Sequence, residues 1–271
     1  MNSLEFLYKN PVGRILLRPL ISRPVSVLSG KLLDMRLSKV LITPFVKMNR
    51  ISTRDYKLDD IGNFNDFFCR KIKEGLRPIS DQGDDLIAPA DGLLSAYLIN
   101  DDTVLSVKQS SFSISRLLRD RKLAERFNGG YALVFRLCVN HYHRYIFFDS
   151  GKVYKNRRIN GVYHTVRPVA LEQYPVYIEN SREYMIMDTD HFGRAVQMEV
   201  GAMLVGRIVN EPVCNTRVKR GEEKGHFEYG GSTIIVLLSA DKASLRQDIL
   251  DCVNSDEEIP VKMGEVIGKR I

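Results

Sequence analysis

No stretch of this 271-residue chain reaches eighteen apolar residues, so no membrane-crossing helix is expected. The opening Met1-Asn2-Ser3-Leu4-Glu5 lacks the basic-then-apolar order of a secretion signal. Cysteine is scarce and scattered. Cys69, Cys138, Cys214 and Cys252 form no C-x-x-C, which argues against a zinc site and against a disulfide framework. Reduced, mostly buried thiols in a cytosolic protein are the expectation. There is no internal repeat and no low-complexity linker. Acidic residues are nearly missing from one region. Residues 1–54 hold only Glu5 and Asp34 against ten basic residues (Lys9, Arg14, Arg18, Arg23, Lys31, Arg36, Lys39, Lys47, Arg50, Arg54), a net of +8. The whole chain is +7, so residues 55–271 sum to −1 and the basic excess sits in the N-terminal fifth.

With 44% apolar and 27% charged residues, the composition is that of an ordinary globular protein with length enough for a substantial core. In the basic region the charges alternate with Ile15-Leu16-Leu17, Leu32-Leu33 and Val40-Leu41-Ile42. Basic amphipathic helices suit an anionic membrane surface. A solvated helical face packed on the body gives the same pattern. Nucleic acid is not an expected partner, since no recognisable binding module is present and the body is not basic.

Pro11, Pro19, Pro24 and Pro44 punctuate two or three short helices over residues 1–50. Residues 59–74 read as another helix, with Phe64, Phe67 and Phe68 on one side. From Leu86 onward short strands are expected at 87–96, 131–139, 143–148, 151–154, 176–178, 195–200, 203–209 and 233–238. A helix at 111–126 interrupts them, and 243–253 forms a short helix. The expected fold is α+β: a β-rich core of short strands, barrel-like or sandwich-like, with a basic helical N-terminal appendage.

Three places carry chemistry. Gly230-Gly231-Ser232-Thr233 runs straight into Ile234-Ile235-Val236-Leu237-Leu238. It reads as a hairpin turn, or as a site where the Ser232 hydroxyl attacks the Gly231 carbonyl. Glycine there permits a backbone geometry that a β-carbon resists. Ala88-Pro89-Ala90-Asp91-Gly92 puts an aspartate on a turn between apolar segments. Asn140-His141-Tyr142-His143-Arg144 places two histidines at i, i+2 on an expected strand, with both rings on one face. No carboxylate or cysteine lies at partner spacing, so no metal is expected.

Further blocks stand in a fixed order around these: Phe64-Asn65-Asp66-Phe67-Phe68 with Arg77-Pro78-Ile79; Phe192-Gly193 with Val200-Gly201-Ala202-Met203-Leu204-Val205-Gly206; and Lys219-Arg220-Gly221-Glu222-Glu223-Lys224-Gly225 with Phe227. Over roughly residues 60–240 the chain resembles the phosphatidylserine decarboxylase proenzymes, particularly the shorter bacterial kind. The resemblance implies self-cleavage between Gly231 and Ser232 into chains 1–231 and 232–271. Ser232 becomes a covalent pyruvoyl (pyruvate) group, a cofactor made from the chain's own serine that forms a Schiff base with the substrate amine. Carried over by position, the self-processing set is Asp91, His143 and Ser232, with His143 as base and Asp91 orienting it. Many members carry a second histidine three residues after the first, where this chain has Ile146. Either His143 does both jobs or His164 supplies a second imidazole, and His141 and His164 stand behind His143 as acids that return a proton to the substrate α-carbon.

The implied substrate is phosphatidylserine in anionic membranes, and the implied products are phosphatidylethanolamine and CO2. Residues 1–58 are then the membrane-associating segment and 59–271 the catalytic domain, peripheral on the cytoplasmic face of the cell membrane. The two cleavage products stay together as a heterodimer or a higher oligomer. Arg144, Arg167 and Lys224 are the candidates for contacting phosphate. Two other readings fit the residues: pyruvoyl chemistry on another amino-acid head group, and an unprocessed membrane-binding scaffold of the same fold.

Overall fold

The computed structural model describes residues 3–100, 104–107, 110–203, 207–230, 232–255 and 257–271. In chain order, the strands that position the site are β1 (Gly92–Leu98), β2 (Tyr131–Leu137), β3 (Arg144–Ile146), β4 (Gly151–Val153), β5 (Arg157–Ile159), β6 (Arg182–Thr189), β7 (Arg194–Val200), β8 (Ile208–Asn210), β9 (Thr216–Val218), β10 (Glu223–Phe227), β11 (Ser232–Leu238) and β12 (Ile259–Val261). The main sheet runs β9-β4-β6-β7-β11-β2-β1-β12, with β5 added beside β6. Every pairing in it is antiparallel. A smaller sheet, β8-β10-β3, stands beside it.

The position of β11 follows from its residues. An unbroken apolar run needs strands on both edges and cover on both faces. β7 and β2 supply the edges. Ile234, Val236 and Leu238 enter one core cluster while Ile235 and Leu237 enter the other, the period of two that a pleated strand imposes. The fold is α+β and β-rich as expected. Among the described residues the main sheet is open rather than a closed barrel.

Among the described residues the helical segment has four helices, α1 (Ser3–Lys9), α2 (Pro11–Leu20), α3 (Arg23–Leu33) and α4 (Ile42–Met48), with a 3-10 turn at Arg36–Leu41. Asn10 caps α2 by accepting from Val12 N–H at 2.9 Å, and Pro11 follows at the first helical position. Gly13 lets α1 cross close by, since a β-carbon there would meet the Phe6 carbonyl at 2.0 Å. Tyr8 and Leu17 are buried in a core cluster of the body, so α1 and α2 are docked on it.

Several expected elements differ. The helix at 59–74 is only α5 (Phe64–Phe68), closed by an Asn63–Asp66 capping box, and Lys71–Ile72 then pairs with Tyr56–Lys57. The helix at 111–126 breaks into Ile114–Leu118 and Arg121–Ala124, because Arg119 adopts a left-handed φ of 49°. Residues 176–178 lie in a helical turn, Val176–Glu179, which Pro175 precedes. The tail is a strand, Ala243–Leu245, followed by a helix, Gln247–Asp251. Residues 204–206 of the expected 203–209 strand lie outside the described residues. All four cysteines are free, but only Cys69 is buried.

One ion pair is sealed in the interior. Lys224 Nζ lies 2.6 Å from Glu199 Oε2 and 3.0 Å from Asn210 Oδ1, and neither charged side chain reaches solvent. Removing one partner strands the other charge, at a cost of about 3–5 kcal/mol. Lys224→Met should therefore lower unfolding free energy by that amount in urea titration, and Lys224→Met with Glu199→Leu should recover most of it.

Candidate active site

The chain enters β11 through Gly230, whose φ of +129° is open to glycine and strained for other residues. Gly231, one side of the expected cleavage point, lies outside the described residues. Ser232 opens β11 opposite Leu137 and is fully buried. Its Oγ has no hydrogen-bond partner among the described residues. A buried polar atom left unpaired costs roughly 1–3 kcal/mol, which makes it a candidate for chemistry.

A second such atom is His143 Nε2, also fully buried and without a partner among the described residues. Its Nδ1 lies 3.0 Å from the His141 carbonyl. A carbonyl only accepts, so Nδ1 carries the hydrogen and Nε2 is left with a free lone pair. Burial pushes the imidazole far below its ordinary pKa, and the charges of Arg70 and His141 push the same way. The backbone of His141 and that of Gly230, two residues before Ser232, oppose the shift. His143 is thus a neutral base whose Nε2 has no hydrogen-bond partner among the described residues and which sits beside the Gly230 backbone that leads to a buried serine.

An aromatic cluster seals this region. The Phe68 ring sits 4.0 Å from that of His143, centre to centre. Tyr229 is held edge-on by Phe64 at 4.9 Å, Phe68 at 5.2 Å and Phe45 of α4 at 5.7 Å. The buried Arg70 guanidinium lies over Tyr56 at 4.2 Å and donates to the Phe67 carbonyl at 3.3 Å. Phe68 was legible in the sequence as part of its aromatic block. Arg70 and Tyr229 were not, because nothing local marks a buried arginine or a clamped tyrosine.

The other expected site residues are arranged differently. The Asp91 carboxylate accepts from Arg77 Nε at 2.8 Å, Arg77 Nη2 at 2.6 Å and Met263 N–H at 2.9 Å. Its charge acts on His141, raising an imidazole that burial lowers. Among the described residues no hydrogen bond joins Asp91 to His143, and the His141 carbonyl occupies the orienting position. His141 and His143 do not share a strand face, because both precede β3 in a bend closed by His141 N–H to the Cys138 carbonyl at 2.9 Å. Cys138 N–H donates to His141 Nδ1 at 3.1 Å.

His164 is not on a strand either. It bridges Tyr8 Oη at 3.2 Å and Glu179 at 3.3 Å and stacks on Tyr174, so it fastens α1 to the body. Ile146 is core, its N–H donating to the Pro89 carbonyl at 3.0 Å. Arg144 is committed to Glu223 and to the Cys69 carbonyl, and Lys224 to Glu199. Arg167 remains exposed. It lines a cavity of about 550 Å³ beside the turn, together with Leu137, Cys138, Asn140, Tyr229 and Gly230.

The family model for phosphatidylserine decarboxylase matches residues 64–269. The chain belongs to the phosphatidylserine decarboxylase family. The match begins at the first residue of α5, so α1–α4 lie before it. Over 98% of its length the chain is 41% identical to phosphatidylserine decarboxylase proenzyme 2 of Clostridium acetobutylicum, covering 91% of that protein. It is 38% identical to the phosphatidylserine decarboxylase proenzymes of Ruminiclostridium cellulolyticum and Clostridium novyi, over 99% and 100% of this chain and 91% and 93% of theirs.

The buried histidines make stability depend on pH. Burial lowers His164 and His226 to about 4, and His143 falls as well. The unfolded chain binds these protons near pH 6.5, so their contribution is complete above that value and is lost as pH falls towards 4. The denaturation midpoint should drop between pH 7 and pH 5, and His164→Asn should drop less steeply. Equal slopes for the two proteins would contradict the assignment.

Proposed function

We propose that this chain is a proenzyme that cuts itself between Gly231 and Ser232 and then decarboxylates phosphatidylserine to phosphatidylethanolamine and CO2. The observation that carries the reading is the pair of sealed atoms at the turn that have no hydrogen-bond partner among the described residues, Ser232 Oγ and His143 Nε2. In maturation, His143 Nε2 takes the Ser232 proton and Oγ attacks the Gly231 carbonyl. The amide nitrogen leaves protonated and an ester remains. Loss of the residue-232 α-hydrogen then expels the Gly231 carboxylate, and hydrolysis of the resulting dehydroalanine releases ammonia. Asp91 acts as a positioning residue through its charge, which acts on His141, whose carbonyl orients the imidazole.

The residues fit a pyruvoyl group at position 232, because the site is dry and its neighbouring base is neutral. Such a group supplies a carbonyl that captures the substrate amine and accepts the electron pair of the breaking bond. Phe68 and Tyr229 exclude water, which favours a transition state less charged than the carboxylate. His143 Nε2 carries the proton returned to the substrate α-carbon. Segment 232–271 begins with β11, hydrogen-bonded on both edges by strands of 1–231, and this supports a heterodimer of the two products.

The basic segment 1–58 is the membrane-associating part in this reading, and 59–271 the catalytic part. Among the described residues, no helix is long and apolar enough to cross a membrane. Yet eleven of the fourteen large apolar side chains exposed there fall between Val12 and Met48. Leu37 and Val40 are about 75% exposed and three apart on a 3-10 turn, so they stack on one side, with Arg36 and Lys39 adjacent. Each basic residue near an anionic surface adds roughly 1 kcal/mol, so a few give peripheral, reversible attachment at the cytoplasmic face.

Ser232→Ala should remain one 271-residue chain by mass spectrometry and release no CO2 from phosphatidylserine; cleavage in that variant would sink the serine assignment. Leu37→Glu with Val40→Glu should weaken sedimentation with anionic vesicles about tenfold without changing cleavage. Unchanged sedimentation would remove this surface from the docking face.

A further inference from the structure

We propose that Arg167 binds the phosphodiester of the lipid headgroup and thereby sets the substrate's register against residue 232. This rests on the decarboxylase reading above. Three cations were candidates from the sequence, and two are already committed. Arg144 is spent on Glu223 and the Cys69 carbonyl, and Lys224 is sealed against Glu199. The other arginine of the cavity, Arg136, is neutralised by Glu258 through two hydrogen bonds, at 2.7 and 2.6 Å. Arg167 has no acidic partner among the described residues.

Its backbone is fixed where it stands. Arg167 N–H donates to Thr165 Oγ1 at 3.4 Å, and Pro168 follows as the start of α6 (Pro168–Leu171). Thr165 N–H donates in turn to Tyr8 Oη at 3.0 Å, so α1 helps to hold this turn. The cavity that Arg167 lines also reaches Gly230 and Leu137, the latter the register partner of Ser232. The Arg167 charge is felt at Tyr229, where it offsets part of the rise that burial gives the phenol. Leu4 and Asn49 bring the N-terminal segment into the same wall. One cavity therefore spans from the cleavage turn to the segment proposed to meet the bilayer.

The chemistry selects the phosphodiester over the carboxylate. Decarboxylation disperses the carboxylate charge, so a fixed cation on that group stabilises the ground state more than the transition state and slows the step. The phosphodiester keeps its charge throughout. A guanidinium on it supplies uniform binding and orientation, and its planar fork suits two phosphate oxygens.

The test is calorimetric binding of dihexyl phosphate to the matured protein in nonionic detergent micelles, with hexanoate in parallel and with cleavage followed by mass. Arg167→Ala should weaken dihexyl phosphate binding at least tenfold, leave hexanoate binding within twofold, and raise KM for phosphatidylserine more than it lowers kcat. Arg167→Lys should restore part of the affinity, as a point charge without the fork. Unchanged phosphate binding overturns the proposal, as does a loss confined to hexanoate. So does an effect seen only with anionic vesicles, which would assign Arg167 to surface attraction. Failure of the unsubstituted chain to release CO2 overturns the decarboxylase reading itself, and is seen separately from the binding result.

Discussion

Exclusion of water around one imidazole is the constraint on which the rest of the site depends. His143 is neutral because it is dry, and it is dry because Phe68 lies against it and a cluster of aromatic rings clamps the neighbouring Tyr229. The same dryness leaves Ser232 Oγ and His143 Nε2 without hydrogen-bond partners among the described residues, which is costly in a folded protein. A central strand paired on both edges carries that cost, since β11 cannot shift without breaking pairings with β7 and β2 together. On the proposed reading, stability of the sheet is in this sense the source of reactivity at Ser232.

In the proposed function the arrangement also ties membrane contact to chemistry. Phe45 of α4 packs on Tyr229, next to Gly230, while Leu37 and Val40 just before it face outward. Tyr8 of α1 bonds both His164 and the backbone of Thr165, two residues from Arg167. The N-terminal helices therefore form part of the cavity wall. The division at residue 58 marks a change of charge and of secondary structure, but packing crosses it.

Local signals in the sequence conveyed most of the architecture. The apolar run after Ser232 is a buried central strand, the prolines mark the short helices, and the basic excess coincides with the exposed apolar surface. Long-range contacts were not legible. Asp91 stood in the right order for a serine-protease-like set, yet Arg77 and Met263 claim its carboxylate, and a backbone carbonyl, which no motif can encode, holds the imidazole. The i, i+2 histidines suggested one strand face, but a tight turn at Cys138–His141 takes them off the sheet. Lys224 read as a candidate phosphate contact, because its partner Glu199 lies 25 residues away in sequence.

The most direct measurement is the chemistry of the N-terminus of segment 232–271 in the purified, unsubstituted protein. Intact mass before and after reductive amination with ammonium and cyanoborohydride separates a ketone from an amine. The account predicts a 40-residue fragment with a blocked, carbonyl-bearing first residue that gains the mass of amination. An intact chain, or a fragment beginning with unmodified serine, would contradict it.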